Sequence, residues 1–139
     1  MKEIANYGIK LFFPIHPRTK KALENYGLLN EKKPQNLIIN PPVSYLDMIC
    51  LEYNARVIIT DSGGVQKEGY FFKIPCIVPR NETEWIELVE RGFNVLTGTA
   101  KEKIVKAVFE KWEHKGTERW VDFYGNGQAS DRIVNLLLK

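Results

Sequence analysis

Arg56-Val57-Ile58-Ile59-Thr60-Asp61-Ser62-Gly63-Gly64 is the stretch that decides the fold, because an apolar run passes directly into a glycine turn. Four of its first five residues are β-branched, which predicts a strand that is buried on both faces of a sheet. Residues 65–72 then follow a helical pattern. A strand, a tight turn and a helix in this order form the repeating unit of a parallel α/β sheet.

The rest of the chain alternates in the same way between β-rich runs and amphipathic segments. The predicted strands cover residues 9–13, 36–40, 75–78 and 94–96, and the predicted helices cover 19–26, 44–54, 84–90, 101–113 and 129–139. Ser44 and Thr83 are candidate N-caps. We therefore predict a single Rossmann-like α/β domain over residues 1–139, with a parallel sheet and helices on both faces. Residues 1–7 look like the end of a helix, which suggests a piece of a larger fold.

Helical spacing also predicts which side chains face the core. In the segment 101–113 these are Ile104, Val105, Val108, Phe109 and Trp112. The same spacing gives an inward position to Ala22, Leu23, Tyr26, Leu46, Ile49, Cys50, Tyr53, Ile133, Leu136 and Leu137. Cys50 and Cys76 both lie in apolar runs, so we expect two small buried hydrophobic side chains.

Composition excludes several classes of protein. The chain has 139 residues, of which 44% are hydrophobic and 27% charged, a balance that fits one folded domain. A net charge of +3, with lysines spread along the helices, does not indicate a nucleic-acid partner. No run approaches the length of a membrane span and no signal segment is visible, so we expect no membrane contact and a cytoplasmic location. The cysteines lack metal-ligand spacing, and we expect neither a metal nor a cofactor.

The turn at Ser62-Gly63-Gly64 is a candidate phosphate site. Glycine has no Cβ atom, so the backbone can bend sharply there and approach a ligand closely. The N–H groups and the positive dipole end at the start of the next helix suit a phosphate, and the Ser62 hydroxyl can add a donor. A tight turn with Ser62 as an N-cap is the structural alternative. A P-loop is excluded, because no Gly-Lys-Ser or Gly-Lys-Thr follows a glycine-rich loop.

Three further polar residues lie near predicted strand ends. Glu68 lies one turn into the helix, where a carboxylate can accept hydrogen bonds from ribose hydroxyls. His16 follows the first strand between two prolines, and Arg80 follows the fourth strand, where a guanidinium suits an anionic ligand. Each has a structural alternative: a surface carboxylate, a structural histidine and a surface arginine. His114 has no such setting, and we expect it at the surface.

Taken together and in this order, these residues resemble the C-terminal domain of the non-hydrolysing UDP-N-acetylglucosamine 2-epimerases. The matching stretches are residues 14–19, 60–68, 75–76, 80–85 and 124–130, which together span nearly the whole chain. The Asp-Ser-Gly-Gly…Gln…Glu segment with its downstream Thr-Glu is the most specific part. By the resemblance, residues 43–48 border the uracil of a bound nucleotide. Many relatives have glutamine and an aromatic residue where this chain has Val43 and Met48, and some have arginine in place of Trp85.

The resemblance implies one half of a GT-B enzyme, in which two Rossmann-like domains face a cleft and UDP lies mainly on the C-terminal one. It implies that Ser62, Gly63 and Gly64 hold the diphosphate, that Glu68 binds the ribose, and that His16 is a catalytic residue beside the phosphates. In the family reaction, UDP is eliminated from the sugar and added back with C2 inverted. The carboxylates for this proton transfer come from the N-terminal domain.

We therefore expect a UDP-sugar-binding domain whose ligand is UDP or UDP-GlcNAc, either a truncated product or half of a split enzyme. Its partner would be a separate N-terminal Rossmann domain or a second copy of the chain. Two alternatives stay open. One is a stand-alone module that holds a nucleotide without catalysis. The other is the donor-binding domain of a GT-B glycosyltransferase, although the Gln66…Glu68 and Thr83-Glu84 context argues against it.

Overall fold

The computed structural model describes residues 1–29, 32–113 and 120–138, and in these ranges seven helices alternate with five strands. The helices are α1 Lys2–Asn6, α2 Pro17–Asn25, α3 Tyr45–Tyr53, α4 Gly63–Phe71, α5 Ile86–Glu90, α6 Lys101–Glu113 and α7 Ala129–Leu137. The strands are β1 Leu11–Pro14, β2 Leu37–Asn40, β3 Ile58–Ile59, β4 Cys76–Val78 and β5 Asn94–Leu96. His114, predicted at the surface, and Lys139, predicted as the end of the last helix, lie outside the described residues.

The strands pair in parallel, as predicted, but they form two separate groups where a single sheet was predicted. β1 pairs with β2, and β4 lies between β3 and β5. In the second group Ile59 is in register with Ile77, and Ile77 with Val95. The carboxyl ends of β3 and β4 therefore lie side by side, which brings the segments after Ile59 and after Val78 together.

Strand β4 is the centre of the core, because its side chains alternate between two layers of helices. Ile77 packs in a cluster with Ile4 of α1 and with Ala107 and Val108 of α6. Cys76 and Val78, on the other side of the strand, pack in a cluster that includes Val65 and Phe72, in and directly after α4. Helices thus cover both faces of the sheet, and the predicted α/β class is confirmed.

The predicted boundary and inner face of α6 are both confirmed, because all five predicted side chains pack in the cluster around Ile77. Other predicted inward positions are wrong and carry exposed side chains: Ala22, Tyr26, Leu46, Cys50, Tyr53, Ile133, Leu136 and Leu137. In α3 the buried residue is Glu52 rather than Tyr53, so the helix turns a neighbouring row of side chains inward. Periodicity shows that a helix has an apolar side, but it does not show that a core lies against it.

Three helix starts also differ from the prediction, and the first is that of α2, which begins at Pro17 rather than at residue 19. Helix α4 begins at Gly63, two residues earlier than predicted, so both turn glycines lie in its first turn. Helix α5 begins at Ile86 with Trp85 as N-cap, and the Thr83 hydroxyl accepts a hydrogen bond from the Trp85 N–H at 3.3 Å. Ser44 caps α3 as predicted, by accepting from the Asp47 N–H. No helix within the described ranges is long and apolar enough to cross a membrane.

Candidate functional site

The turn between β3 and α4 is built by hydrogen bonds from its own residues. The Thr60 N–H donates to the Ile77 carbonyl at 3.0 Å, which ties the end of β3 to β4. The Thr60 hydroxyl accepts from the Ser62 N–H at 3.1 Å, and the Ser62 hydroxyl caps α4 by accepting from the Val65 N–H at 3.5 Å. A hydroxyl that accepts from the backbone still has a hydrogen to donate, so the N-cap role of Ser62 is compatible with a ligand contact.

The first N–H groups of α4 are available to an anion. N–H groups in the first turn of a helix have no carbonyl partner within the helix, and those of Gly63 and Gly64 belong to this set. The Trp85 indole N–H donates to the Gly63 carbonyl at 2.8 Å. A Cβ atom on Gly63 would overlap the Glu84 carboxylate, whereas a Cβ atom on Gly64 would meet only the Ser62 hydroxyl, at 3.7 Å. Gly63 is thus enclosed by protein and Gly64 is open.

Arg80 lies beside this turn. Its Nη1 atom is 3.4 Å from the Asp61 carbonyl oxygen and 3.4 Å from Glu84 Oε2. Both side chains of the ion pair are partly exposed, so the pair contributes little to stability. The guanidinium has five N–H donors, which leaves several for an anion at the turn. Arg80 and the glycine turn thus lie at the same edge of the sheet.

Glu68 lies on α4, five residues after Gly63, and its carboxylate accepts a hydrogen bond from the Tyr45 hydroxyl at 3.4 Å. Tyr45 is the first residue of α3, so this contact connects the two helices. The carboxyl group of Glu52, on α3, lies near that of Glu68, and Glu52 is only 2% exposed. Burial, and then the charge of the nearby Glu68, raise the pKa of Glu52 to about 7.

His16 stands at the end of the other strand pair. It caps α2, and its Nδ1 atom accepts from the Arg18 N–H at 3.2 Å. In a neutral imidazole this bond leaves the proton on Nε2, so the exposed edge of the ring is a hydrogen-bond donor. Among the described residues, no hydrogen bond or ion pair joins His16 to Ser62, Glu68 or Arg80.

An open depression of about 450 Å³ lies at the carboxyl ends of β1 and β2, lined in part by Ile15, Lys20, Lys33 and Asn40. It includes neither His16 nor the glycine turn. At the α4 site, Ser62 and Gly64 are exposed, and Gly63, Glu68 and Arg80 are partly exposed. Within the described part of the chain, no three His, Cys, Asp or Glu side chains are grouped so that they could hold a metal ion.

Comparison with known proteins identifies the family of the chain. The family model described as UDP-N-acetylglucosamine 2-epimerase matches residues 1–138. The chain belongs to this family. The resemblance inferred from the sequence motifs is thereby confirmed, and the glycosyltransferase alternative is removed.

Relatives in this epimerase family match almost the whole chain. A UDP-N-acetylglucosamine 2-epimerase homolog from Methanococcus maripaludis is 48% identical over 129 residues, which is 92% of this chain and 36% of the relative. A UDP-2,3-diacetamido-2,3-dideoxy-D-glucuronate 2-epimerase from Pseudomonas aeruginosa is 44% identical over 139 residues, which is 100% of this chain and 38% of the relative. The chain therefore spans a little over a third of the length of these relatives.

A solved structure of the family shares the fold. The crystal structure of the UDP-GlcNAc 2-epimerase from Methanocaldococcus jannaschii in complex with UDP-GlcNAc and UDP superposes with a TM-score of 0.85 at 44% identity. The match covers 98% of this chain and 38% of that chain. The fold is accordingly the Rossmann-like arrangement of one half of a GT-B-type epimerase.

Several residues that support the site were missed by the sequence reasoning. Gln66 is fully buried, and its side-chain oxygen accepts from the Thr83 hydroxyl at 2.7 Å and from the Asn94 amide at 3.0 Å. This network ties α4 to the segment before α5 and to β5. The Lys67 ammonium lies between the rings of Trp85 and Tyr124, at 4.4 and 4.2 Å from their centroids. Glu52 was missed as well, and the signal available for it was a polar residue within an apolar run.

Proposed function

We propose that this chain forms the UDP-sugar-binding part of an epimerase that interconverts UDP-GlcNAc and UDP-ManNAc. The observation that carries the proposal is the arrangement at α4, where donors for a diphosphate and an acceptor for a ribose follow one another along one helix. The N–H groups of Gly63 and Gly64, the Ser62 hydroxyl and the Arg80 guanidinium supply the donors. Glu68 supplies the acceptor. The related enzyme from M. jannaschii, described with UDP-GlcNAc and UDP, supports this choice of ligand.

In the proposed reaction a base removes the proton from C2 of the sugar, the bond from C1 to UDP breaks, and UDP leaves with the bonding electrons. Return of UDP and delivery of a proton to the opposite face of C2 complete the epimerisation. The N–H groups of Gly63 and Gly64 and the Nε2–H of His16 would stabilise the charge on departing UDP. Glu68 would hold the ribose and so fix the diphosphate relative to His16.

The groups that move the C2 proton would come from another part of the enzyme. We propose that this part is a second Rossmann-like domain facing the carboxyl ends of β3 and β4. A non-catalytic binding module is the alternative, and it would bind UDP without any partner that confers turnover. A cytoplasmic location stays a prediction.

A second candidate concerns the sugar. The P. aeruginosa relative, named for a diacetamido uronate substrate, is 44% identical over the whole chain. This favours comparing UDP-GlcNAc with a UDP-linked diacetamido uronic acid in every assay. Tighter binding of the uronic acid, with equal binding of UDP itself, would favour the second sugar.

The nucleotide site is tested by NMR titration of the ¹⁵N-labelled chain with UDP. We expect the largest amide shifts at residues 62–68 and at Arg80, because bound phosphates and ribose would change the environment of these groups directly. Uridine, which lacks phosphates, is the control and should shift residues 62–64 least. Shifts that avoid the segment 60–68 would contradict the assignment.

A further inference from the structure

Glu52 has a buried carboxyl group that no hydrogen-bond donor reaches within the described part of the chain. It is 2% exposed, and within the described residues neither of its side-chain oxygens has a donor in reach. An ionised carboxylate in such a place loses its hydration without compensation, which is costly enough that a buried acid takes up a proton instead. A protonated carboxyl group then needs a neighbouring acceptor for its O–H.

The packing of α3 against α4 places Glu68 beside Glu52. The two helices touch near one end through Tyr45 and Glu68, at 3.4 Å, and near the other through the rings of Tyr53 and Phe72, with centroids 5.6 Å apart. Glu52 lies seven residues after Tyr45, which is two turns along the same face of α3. Glu52 is buried, and its carboxyl group is close enough to that of Glu68 for the two to share a hydrogen bond.

Within the described residues, the titratable groups that face Glu52 are Glu68 from α4 and the Cys76 thiol from β4. Burial raises the pKa of Cys76 to about 12, so the thiol is neutral near pH 7. Burial and the neighbouring carboxylate raise the pKa of Glu52 to about 7, and a hydrogen bond with Glu68 acts in the same direction. Two adjacent carboxyl groups of this kind ionise one at a time, and the more buried one keeps the proton.

We propose that Glu52 is a positioning residue for Glu68: its buried carboxyl donates a hydrogen bond to the Glu68 carboxylate and fixes that carboxylate for the ribose hydroxyls of a nucleoside diphosphate. The role as a ribose acceptor rests on the function proposed above, whereas the pairing of the two acids does not. Fixing one oxygen of Glu68 leaves its other lone pairs to accept from a ligand. Because the pair carries one negative charge rather than two, it also repels an anionic ligand less.

The pairing itself is tested by following the side-chain carboxyl ¹³C shifts of Glu52 and Glu68 across a pH titration of the whole chain. In the native sequence we expect a midpoint near pH 7 for Glu52. In Glu68→Gln the Glu52 midpoint should move to lower pH, because the neighbouring charge is gone. An ordinary Glu52 midpoint, or one that Glu68→Gln leaves unchanged, would overturn the pairing.

The effect on the ligand is tested by calorimetric titration with UDP at about pH 6 and about pH 8.5, on either side of the expected midpoint. The native chain should lose about tenfold in affinity at the higher pH. This loss corresponds to a difference of about one unit between the pKa of Glu52 in the UDP-bound chain and in the free chain. Glu52→Gln, which keeps a neutral donor, should lose this pH dependence, and Glu52→Leu, which has no donor, should bind weakly at both values. Titration of the UDP phosphates is common to all three proteins and cancels in the comparison.

Failure of the positioning role and failure of the proposed function give different results. Equal pH dependence in the native chain and in Glu52→Gln would overturn the positioning role while leaving UDP binding intact. Absence of UDP binding at both pH values would instead overturn the proposed function, and with it the ribose step, while the carboxyl titration would still decide whether the acids are paired.

Discussion

At the scale of single residues, Gly63 and Gly64 have different surroundings. Alanine substitutions at the two positions can therefore distinguish an effect on protein packing from an effect on ligand approach. A methyl group on Gly64 meets only the Ser62 hydroxyl, at 3.7 Å. Alanine favours a helix more than glycine does, so Gly64→Ala should raise the free energy of unfolding by about 0.5 kcal/mol. The same methyl group would lie where a phosphate approaches the backbone, so UDP affinity should fall.

Urea unfolding and UDP calorimetry on Gly64→Ala measure these two effects separately. Gly63→Ala is the matched comparison, because its methyl group would displace the Glu84 carboxylate and should lower stability as well as affinity. A Gly64→Ala protein that binds UDP as tightly as the native chain would show that no ligand approaches this glycine closely.

The Glu68 carboxylate gives a second prediction at this scale, because only part of the proposed ligand touches it. Glu68→Ala should weaken binding of UDP more than binding of pyrophosphate, since pyrophosphate has no ribose. The lost hydrogen bond should cost about 1–3 kcal/mol. Parallel calorimetric titrations with the two ligands measure the difference, and equal losses for both would refute the ribose role.

At the scale of elements, the turn before α4 is held from outside by the segment that leads into α5. The Trp85 indole N–H donates to the Gly63 carbonyl, while the indole ring packs on Lys67. Trp85→Phe keeps an aromatic ring for Lys67 and removes the donor. We expect a loss of about 1 kcal/mol in stability and weaker UDP binding, because the Gly63 peptide is less firmly oriented.

Trp112→Phe is the matched control for this prediction. Trp112 lies on α6, in the cluster around Ile77 and beneath the Arg56 guanidinium, away from the turn. It should change stability without changing UDP affinity. If both variants affect UDP binding equally, the Trp85 bond has no special role in holding the turn.

Elements that are determined by a few neighbouring residues could be predicted from the sequence, whereas contacts between distant segments could not. The β3 turn and the ends of α6 were predictable, because turn chemistry and helical period act within a few residues. The meeting of Arg80 with the glycine turn was also predictable, because carboxyl ends of parallel strands share one edge. The inner face of α3, which buries Glu52, was not, because burial depends on the phase in which a helix meets its neighbour. The Trp85–Gly63 bond likewise joins segments far apart in sequence.

At the scale of the whole molecule, the buried acid makes stability depend on pH. The pKa of Glu52 is about 7 in the folded chain and 4.5 as its ordinary value, so between these values the folded state binds more protons than the unfolded state. Stability from this group is therefore full below about pH 4.5, falls as pH rises toward 7, and is constant above it. The loss amounts to about 3 kcal/mol at most.

Urea unfolding at about pH 5 and about pH 8 measures this fall, and Glu52→Gln is the control that removes the titration. The variant should lose less stability than the native chain over that interval. An identical pH dependence in both proteins would show that Glu52 is not the group responsible.

The last prediction is that the 139-residue chain by itself does not epimerise UDP-GlcNAc at a useful rate. Its donors at α4 and the Nε2–H of His16 can stabilise a departing UDP, which is one half of the chemistry. The other half is removal of the C2 proton, and two carboxylates near the site already have partners: Glu84 is paired with Arg80, and Glu68 with Tyr45. An open surface also leaves the sugar hydrated and free to rotate, so positioning worth several kcal/mol is missing.

The measurement is formation of UDP-ManNAc from UDP-GlcNAc by the purified chain, with and without an added N-terminal domain from a relative. We expect no turnover without it, and turnover that depends on His16 if the added domain completes the cleft. His16→Ala should then lower the rate while leaving UDP affinity less affected than Glu68→Ala does, because His16 would act mainly on the charge of the leaving diphosphate. Sustained turnover by the chain alone, abolished in His16→Ala, would mean that the proton-transferring groups lie within these 139 residues.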